Sequence, residues 1–307
     1  MNLRRTAVNA ASAFIVLVVL ASVYFLVIKP HRVTSHASTE GEKVLLFRDV
    51  KYTGEKKGSV NWEVRAKLVR KYIDKPEVEM EGIEGESRPR PDTVVSFKGS
   101  KGWMDTAKEQ GTVSDVEVYY KGEYVIKSSH MDFDFGNSLV STTDPVDLKG
   151  KNFTMMGVGL KGNTLDQVID VERDVSGTIQ QESGKYKFSA DKFTYLLKDA
   201  TYILEGKVVI KGEKMDILCD KIYVTSKDDE PEKADAIGKV SILSKGTIAK
   251  SERAVYYFKD EKAVLNEEPT VTTGETELHG ETVTYDLKED RFFVEKPRMR
   301  IEQQQKK

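Results

Sequence analysis

Four carboxylates occupy matching places in the second half of this chain: Asp191, Asp220, Glu252 and Glu281, each directly after a small residue, at intervals of 29, 32 and 29 residues. Stacked in register, such a row could bind calcium or act on a glycan. A calcium-binding repeat needs many more oxygen ligands per turn, in a glycine-rich form missing here. The carboxylates are followed by Lys192, Lys221, Arg253 and Thr282, neighbours that would offset the row's charge, so the expected role is a repeated turn residue capping a bend. His31, His36, His130 and His279 are too scattered for a metal-ligand spacing and read as solvated surface residues. There is no nucleophile elbow, no phosphate-cradling glycine loop and no histidine-glutamate zinc motif. Cys219 is the only cysteine. It can form no internal disulfide and reads as a small core residue. The residues point to no catalytic, metal or cofactor site.

The carboxylates belong to a longer repeating unit. A small residue is followed three places later by an apolar one and five places later by an aromatic or branched one: Ala190, Phe193, Tyr195; Cys219, Ile222, Val224; Ser251, Ala254, Tyr256; Gly280, Val283, Tyr285. A fixed period means stacked modules. Looser copies start at Ala66 with Val69, Ser100 with Trp103, Ser128 with Met131 and Phe133, and Gly157 with Leu160. Units close either as Gly206-Lys207-Val208 and Gly238-Lys239-Val240, or on a proline, at Pro76, Pro145, Pro269 and Pro297. Proline cannot donate to a ladder and belongs at strand starts or edges.

Within a unit apolar residues alternate with charged and hydroxylic ones. Ala200, Tyr202, Leu204, Val208 and Ile210 form one row and Ala234, Ala236, Val240 and Ile242 another, the period of a half-buried strand. The three-residue step after each small residue breaks that period, which predicts a bulge or corner once per unit. The expected fold class is therefore all-β, a stack of bent antiparallel strands. With 39% hydrophobic and 32% charged residues in 307, a thick conventional core is not expected. Stacked strands, each burying one face against its neighbours, fit better. A net charge of −2 with interspersed signs argues against nucleic-acid binding.

Residues 7–28 are apolar except for Asn9, Ser12 and Ser22, long enough to cross a bilayer as a helix. No convincing cleavage site follows, so an uncleaved anchor is expected, with residues 1–6 as a cytoplasmic tail and the bulk of the chain exported. A linker at 29–43, loops at Arg88-Pro89-Arg90-Pro91 and Lys227 to Lys233, a turn or short helix at Asn163 to Ile169, and a polar tail at 303–307 are expected around two β units, 44–176 and 177–302. Their border is placed at Val175-Ser176-Gly177, where the repeat sharpens. Trp62 and Trp103 read as core or interface residues.

The anchor with Trp62-Glu63-Val64-Arg65-Ala66, Asp144-Pro145-Val146 and Gly157-Val158-Gly159-Leu160 resembles LptC, the single-span inner-membrane bridge component of lipopolysaccharide export. From Tyr186-Lys187-Phe188-Ser189-Ala190-Asp191 on, with Glu205-Gly206-Lys207-Val208 and Ala236-Ile237-Gly238-Lys239-Val240, the chain resembles the LptA or OstA-like periplasmic bridge component. The two together cover nearly the whole chain, and it departs from both families in joining them. The resemblance implies an open β-jellyroll holding acyl chains, no catalysis and no cofactor. As partners it implies lipopolysaccharide, an inner-membrane ABC transporter (LptB/F/G-like), an outer-membrane translocon or further bridge protein, and possible end-to-end self-association. It also makes lipid-groove candidates of Phe188, Phe193, Tyr195, Tyr202, Leu204, Ile217, Ile222, Val224, Val240, Ala254, Tyr256, Val283 and Tyr285. Edge strands near Leu45 to Tyr52 and Phe292 to Ile301 would face the transporter and the outer-membrane side.

Two readings from other classes stay open at this point. One is an anchored β-repeat scaffold or glycan binder with no lipid inside, in which the tyrosines merely fill the sheet. The other is a carbohydrate enzyme on a parallel β-helix, which would need dissimilar polar residues clustered on one face.

Overall fold

The computed structural model describes residues 43–301 apart from 57–58, 91–92, 106, 109, 121–123, 135–136, 138, 164–165, 182–183 and 228–229. The expected anchor, all but the last residue of the linker, and the polar tail lie outside the described residues. Among those described, no helix is long and apolar enough to cross a membrane.

The described chain is all β, with 21 strands in one antiparallel sheet. They are β1 (Val44–Lys56), β2 (Ser59–Tyr72), β3 (Glu77–Arg90), β4 (Thr93–Asp105), β5 (Gln110–Tyr120), β6 (Tyr124–Asp134), β7 (Leu139–Lys149), β8 (Phe153–Asn163) and β9 (Val168–Gln181) in the first part. After these come β10 (Gly184–Ala190), β11 (Lys192–Leu196), β12 (Thr201–Lys211), β13 (Asp216–Lys227), β14 (Glu230–Ser244) and β15 (Thr247–Tyr257). The last are β16 (Lys262–Asn266), β17 (Thr270–Thr273), β18 (Thr276–His279), β19 (Thr282–Asp286), β20 (Arg291–Glu295) and β21 (Arg298–Ile301). Pairing is between sequence neighbours or near neighbours throughout, so the order in space follows the order in the chain.

The corner expected in each unit is present. At Asp191 one strand path breaks into β10 and β11, and at Ser251-Glu252 β15 changes partner from β17 to β16. At Gly280-Glu281 the path breaks into β18 and β19, and at Cys219-Asp220 the β13–β14 register shifts. The neighbouring strand turns the same corner with left-handed backbone: Gly206 (φ 80°) and Lys207 (46°), Gly238 (78°) and Lys239 (48°), Glu267 (64°) and Glu268 (59°), and Lys296 (47°). Each strand thus contributes one segment to each of two walls that meet along the corners. We call the wall holding β11, β16, β19 and β20 wall one, and that holding β10, β17, β18 and β21 wall two.

The carboxylates serve this corner. The amide of Asp191 donates to the Gly206 carbonyl (2.8 Å), that of Glu252 to Glu267 (3.2 Å) and that of Glu281 to Glu295 (3.0 Å). The Asp191 and Asp220 side chains lie over Gly206 and Gly238, where a Cβ would collide with them. Their charge is offset differently from the expectation. Lys207 approaches Asp191 (3.8 Å) and Lys296 binds Glu281, both from the next strand's corner. Lys192, Lys221 and Arg253 instead pair across wall one with Asp170 (2.9 Å), Glu205 (3.2 Å) and Asp235 (2.5 Å). Gly246 has the same backbone (φ 79°) but open space around it. Gly246→Ala is therefore expected to cost about 1 kcal/mol of folding free energy and Gly206→Ala about 2–3 kcal/mol; equal losses on urea denaturation would mean the Asp191 contact is irrelevant.

Several expectations need correction. The third loose copy holds at Ser128 and Met131, as do Ala66 with Val69 and Gly157 with Leu160, all buried. Ser100 and Trp103 do not: both face outward, Trp103 39% exposed, and the inward pair is Gly99 and Gly102. Trp103 is thus no core residue, and the Trp62 side chain lies outside those described. Pro76, Pro269 and Pro297 each precede a strand, whereas Pro145 sits inside β7 at a register shift, where a missing donor is tolerated. The expected loops are strand instead at Arg88 to Arg90, at Lys227 and from Glu230 to Lys233. In the stretch from Asn163 to Ile169, Asn163 ends β8, Asp166 and Gln167 form a turn, and Val168 and Ile169 begin β9. Val175-Ser176-Gly177 lies within β9 and pairs with β10, and Ser176 and Gly177 pair with β8 as well.

Candidate functional site

The inward side chains form rows that cross the sheet from strand to strand. On wall one the register links Phe193, Leu204, Ile222, Ala236, Ala254, Leu265, Val283 and Val294. A second row on that wall links Tyr195, Tyr202, Val224, Ala234, Tyr256, Ala263, Tyr285 and Phe292. On wall two one row runs through Val64, Gly85, Phe97, Val118, Ile126, Leu148, Met155, Gly177, Phe188, Ile210, Ile217, Ile242, Ala249, Val271 and Leu278. No charged residue interrupts it from β2 to β18.

The two walls pack on each other. Residues from both, including Phe193, Ile222 and Leu265 with Phe188, Ile217 and Ile242, form one buried apolar cluster from β7 to β19. A smaller cluster of Ile83, Val113, Val116 and Met131 continues toward the N-terminal end. Burial of each such side chain stabilises the fold by roughly 1.5–3 kcal/mol. All thirteen candidate residues lie in or against the larger cluster. Tyr195 stacks on Tyr202 with centroids 4.4 Å apart, while Val283 and Tyr285 are 0% exposed. The candidates omitted the inward residues of the first part, such as Ile83, Met131, Met155 and Val171; the weaker spacing at Ser128-Met131 and Gly157-Leu160 was the signal that could have found them.

Away from the corners the walls end in hairpins, which form two facing rims. The side expected to be open is bridged where the β12–β13 and β14–β15 hairpins reach the β19–β20 hairpin. Lys214 Nζ, in the β12–β13 hairpin, donates to the Leu287 carbonyl in the β19–β20 hairpin (3.1 Å). Ser244, ending β14, donates to Asp290 (2.9 Å), with the Tyr285 hydroxyl oxygen 3.1 Å from its own. Tyr285 also donates to Asp290 (2.7 Å), and Lys245 pairs with it (2.5 Å). A buried tyrosine hydroxyl needs such partners; Asp290 is on its own hairpin, and Ser244 and Lys245 reach the cluster from the facing rim.

Lys245 and the Tyr285 hydroxyl hold the Asp290 carboxyl at about 2, while burial, then Asp290 itself, pushes Tyr285 up to about 12. A depressed carboxyl stabilises the fold above its unfolded value near 3.9 and loses that contribution as pH falls toward 2. The denaturation midpoint of the chain is accordingly expected to fall more steeply between pH 4 and about 2 than that of Asp290→Asn; parallel curves would remove Asp290 from the bridge.

The remaining polar chemistry is structural. His130 is not merely solvated: its Nδ1 contacts Asp144, which also accepts the Ser129 hydroxyl. Ser129 and His130 share one carboxylate instead of contacting each other, so no activated nucleophile results. Thr142 accepts the Asp144 amide (3.0 Å) and Ser128 donates to the Pro145 carbonyl (3.2 Å), making this a clamp on the β7 shift. His279 pairs with Glu277 (2.9 Å) on the surface. Cys219 is buried, and burial raises its thiol to about 12. Among the described residues no group of three or more His, Cys, Asp or Glu could hold a metal ion.

Comparison with known proteins bears on both parts of the chain. Residues 187–291 match the model of the LptA/LptD N-terminal-domain lipopolysaccharide transport protein. The crystal structure of LptH from Pseudomonas aeruginosa, described as the LptA-homologous periplasmic component of the lipopolysaccharide transport device, aligns over 40% of this chain and 99% of its own. Its identity is 15% and the TM-score 0.36, too low to carry an argument. No curated protein sequence matches. Residues 13–180, more than half of the 307, match the LptC-related lipopolysaccharide-assembly model. The chain belongs to the LptC-related family, with an LptA/LptD-N-like transport segment following in the same polypeptide, and is a component of lipopolysaccharide transport.

Proposed function

We propose that the chain carries the acyl chains of lipopolysaccharide along the trough between its two walls, from an inner-membrane ABC transporter toward the outer membrane. In this reading residues 7–28 anchor it in the inner membrane with the N-terminus cytoplasmic, and the sheet stands in the periplasm as an open jellyroll. The LptC-like unit, 44–176, receives cargo and the LptA-like unit, 177–302, passes it on. The observation that carries the reading is the unbroken apolar row on wall two from Val64 to Leu278.

The energetics favour a trough over a pocket. An acyl chain of a dozen carbons gains at most about 10 kcal/mol on burial at about 0.8 kcal/mol per methylene. Several such chains in one closed site would exceed what non-covalent sites deliver and would trap the lipid. Along a continuous apolar row each methylene leaves one site as it enters the next, with the sugars in water throughout. The push comes from the transporter, and the chain itself has no catalytic step. Among the described residues β1 pairs only with β2, and β21 only with β18. These two edges suit strand addition by the transporter and by an outer-membrane partner or second copy.

The dense packing of Leu265, Val283 and Tyr285, each 0% exposed, supports a second reading, a scaffold whose walls never part. Photo-reactive residues distinguish the two. Placed at Phe193, Ile222 or Tyr256 they should capture lipopolysaccharide in cells, and at the outward Lys192 or Lys221 they should not. Capture at neither set would favour the scaffold.

A further inference from the structure

The outer face of wall two differs from that of wall one. On wall one the cations that follow three of the four corner carboxylates, Lys192, Lys221 and Arg253, are paired across strands. On wall two Lys187 lies directly opposite Lys211 in the β10–β12 register, a like-charge placement that is destabilising by itself. Thr178 pairs with Lys187, Thr154 with Thr178, and Lys149 with Thr154, so one outward row reads Lys149, Thr154, Thr178, Lys187, Lys211. These three lysines have no ion pair among the described residues. Asp216, next in the row beyond Lys211, comes no closer to it than the limit of a salt bridge.

The row borders a cleft of about 660 Å³, a volume that suits a small-molecule ligand. Its floor is apolar, with Val209 and the 59% exposed Met156. The hydroxyls of Thr154 and Thr178, 2.9 Å apart, stand between the lysines. Lys127, at one end, is taken by Glu117 (2.6 Å), and Asp147 beside it is the one carboxylate in the lining.

Position identifies the occupant. Lys149 and Lys211 immediately precede the hairpin glycines Gly150 and Gly212 at the rim of wall two. A lipid whose acyl chains lie in the trough must lead its polar part out over such a rim. We infer that this cleft binds the phosphorylated saccharide of the carried lipid, phosphates on Lys149, Lys187 and Lys211, hydroxyls on the threonines, and the C–H faces of sugar rings on Met156 and Val209. Charge-assisted contacts of ammonium to phosphate would offset the Lys187–Lys211 repulsion. An acidic peptide is the poorer fit, because β8, β9, β10 and β12 are paired on both sides and offer no edge for strand addition. The inference rests on the trough reading for its geometry but is tested apart from it.

The test is calorimetric titration of the full chain in nanodiscs with the deacylated, phosphorylated oligosaccharide of lipopolysaccharide. Binding should weaken as salt is raised. The triple variant Lys149→Ala, Lys187→Ala, Lys211→Ala should lose tenfold or more in affinity, and the dephosphorylated oligosaccharide should bind wild type equally poorly. Unchanged affinity in the triple variant would overturn the site. So would displacement by inorganic phosphate at equal concentration, or by a polyglutamate peptide, since either would mean a general anion surface. Because the probe has no acyl chains, a failed trough would show instead as loss of lipid capture at Phe193 with oligosaccharide binding intact.

Discussion

A short thiol-to-thiol crosslink between Ser244→Cys and Asp290→Cys should reduce lipopolysaccharide transfer to background while leaving the fold intact. Ser244 and Asp290 sit on opposite rims, 2.9 Å apart at their polar atoms, and behind them the interior is filled by Tyr285, Leu265 and Val283 at 0% exposure. Acyl chains can enter only if side chains give way and the rims separate. Packed interiors leave no free volume for a guest. The uncrosslinked double variant has lost the Ser244–Asp290 contact and should transfer at least as fast as wild type, so the pair of measurements separates locking from damage. Chemistry at the new thiols is selective, because burial holds the Cys219 thiol at about 12, far from reactive. Full transfer by the crosslinked protein, read as lipid delivered to acceptor vesicles, would place the path elsewhere.

Leu265→Ala should lower the stability of the lipid-free chain by about 2–5 kcal/mol, the range for emptying a fully buried leucine site. Leu265 lies between Ala254 and Val283 on wall one, next to small residues that cannot expand into the space. In a plain structural core that loss is permanent. In a trough the acyl chain is a replacement for the missing methyls, so lipopolysaccharide should restore much more stability to Leu265→Ala than it adds to wild type, by ordinary binding linkage. Thermal denaturation of both proteins with and without lipid gives the comparison. Equal increments would count against cargo in the interior and in favour of the scaffold.

Much of this architecture could be read from residue order because its signals are local. The three-residue step after Ala190, Cys219, Ser251 and Gly280 is a short-range break in alternation, and each falls at a corner. The copy at Ser100 and Trp103 was misplaced by one residue because the inward positions are Gly99 and Gly102, which carry no apolar signal. Charged stretches such as Lys227 to Lys233 looked like loops, yet in a sheet with one solvated face a strand tolerates charge on every outward position. The trough's rows were legible on wall one, where Phe193, Ile222 and Tyr256 recur. The bridge between the rims was not: Ser244 and Asp290 are 46 residues apart, and nothing near either one announces the other. The unpaired lysines on wall two were hidden for the same reason. Lys187 and Lys211 become neighbours only when β10 and β12 pair.

Continuity is the property that a carrier needs and a scaffold does not, and photo-crosslinking along the path measures it. Probes in place of Phe97, Met155, Phe193 and Val283 sample inward positions from the N-terminal end to the far end. After export is started by ATP in inner-membrane vesicles holding the full chain and its transporter, lipopolysaccharide should be captured first at Phe97, then at Met155 and Phe193, and last at Val283. Simultaneous capture at inward and outward positions, or capture that never passes Met155, would contradict a single apolar path through the protein.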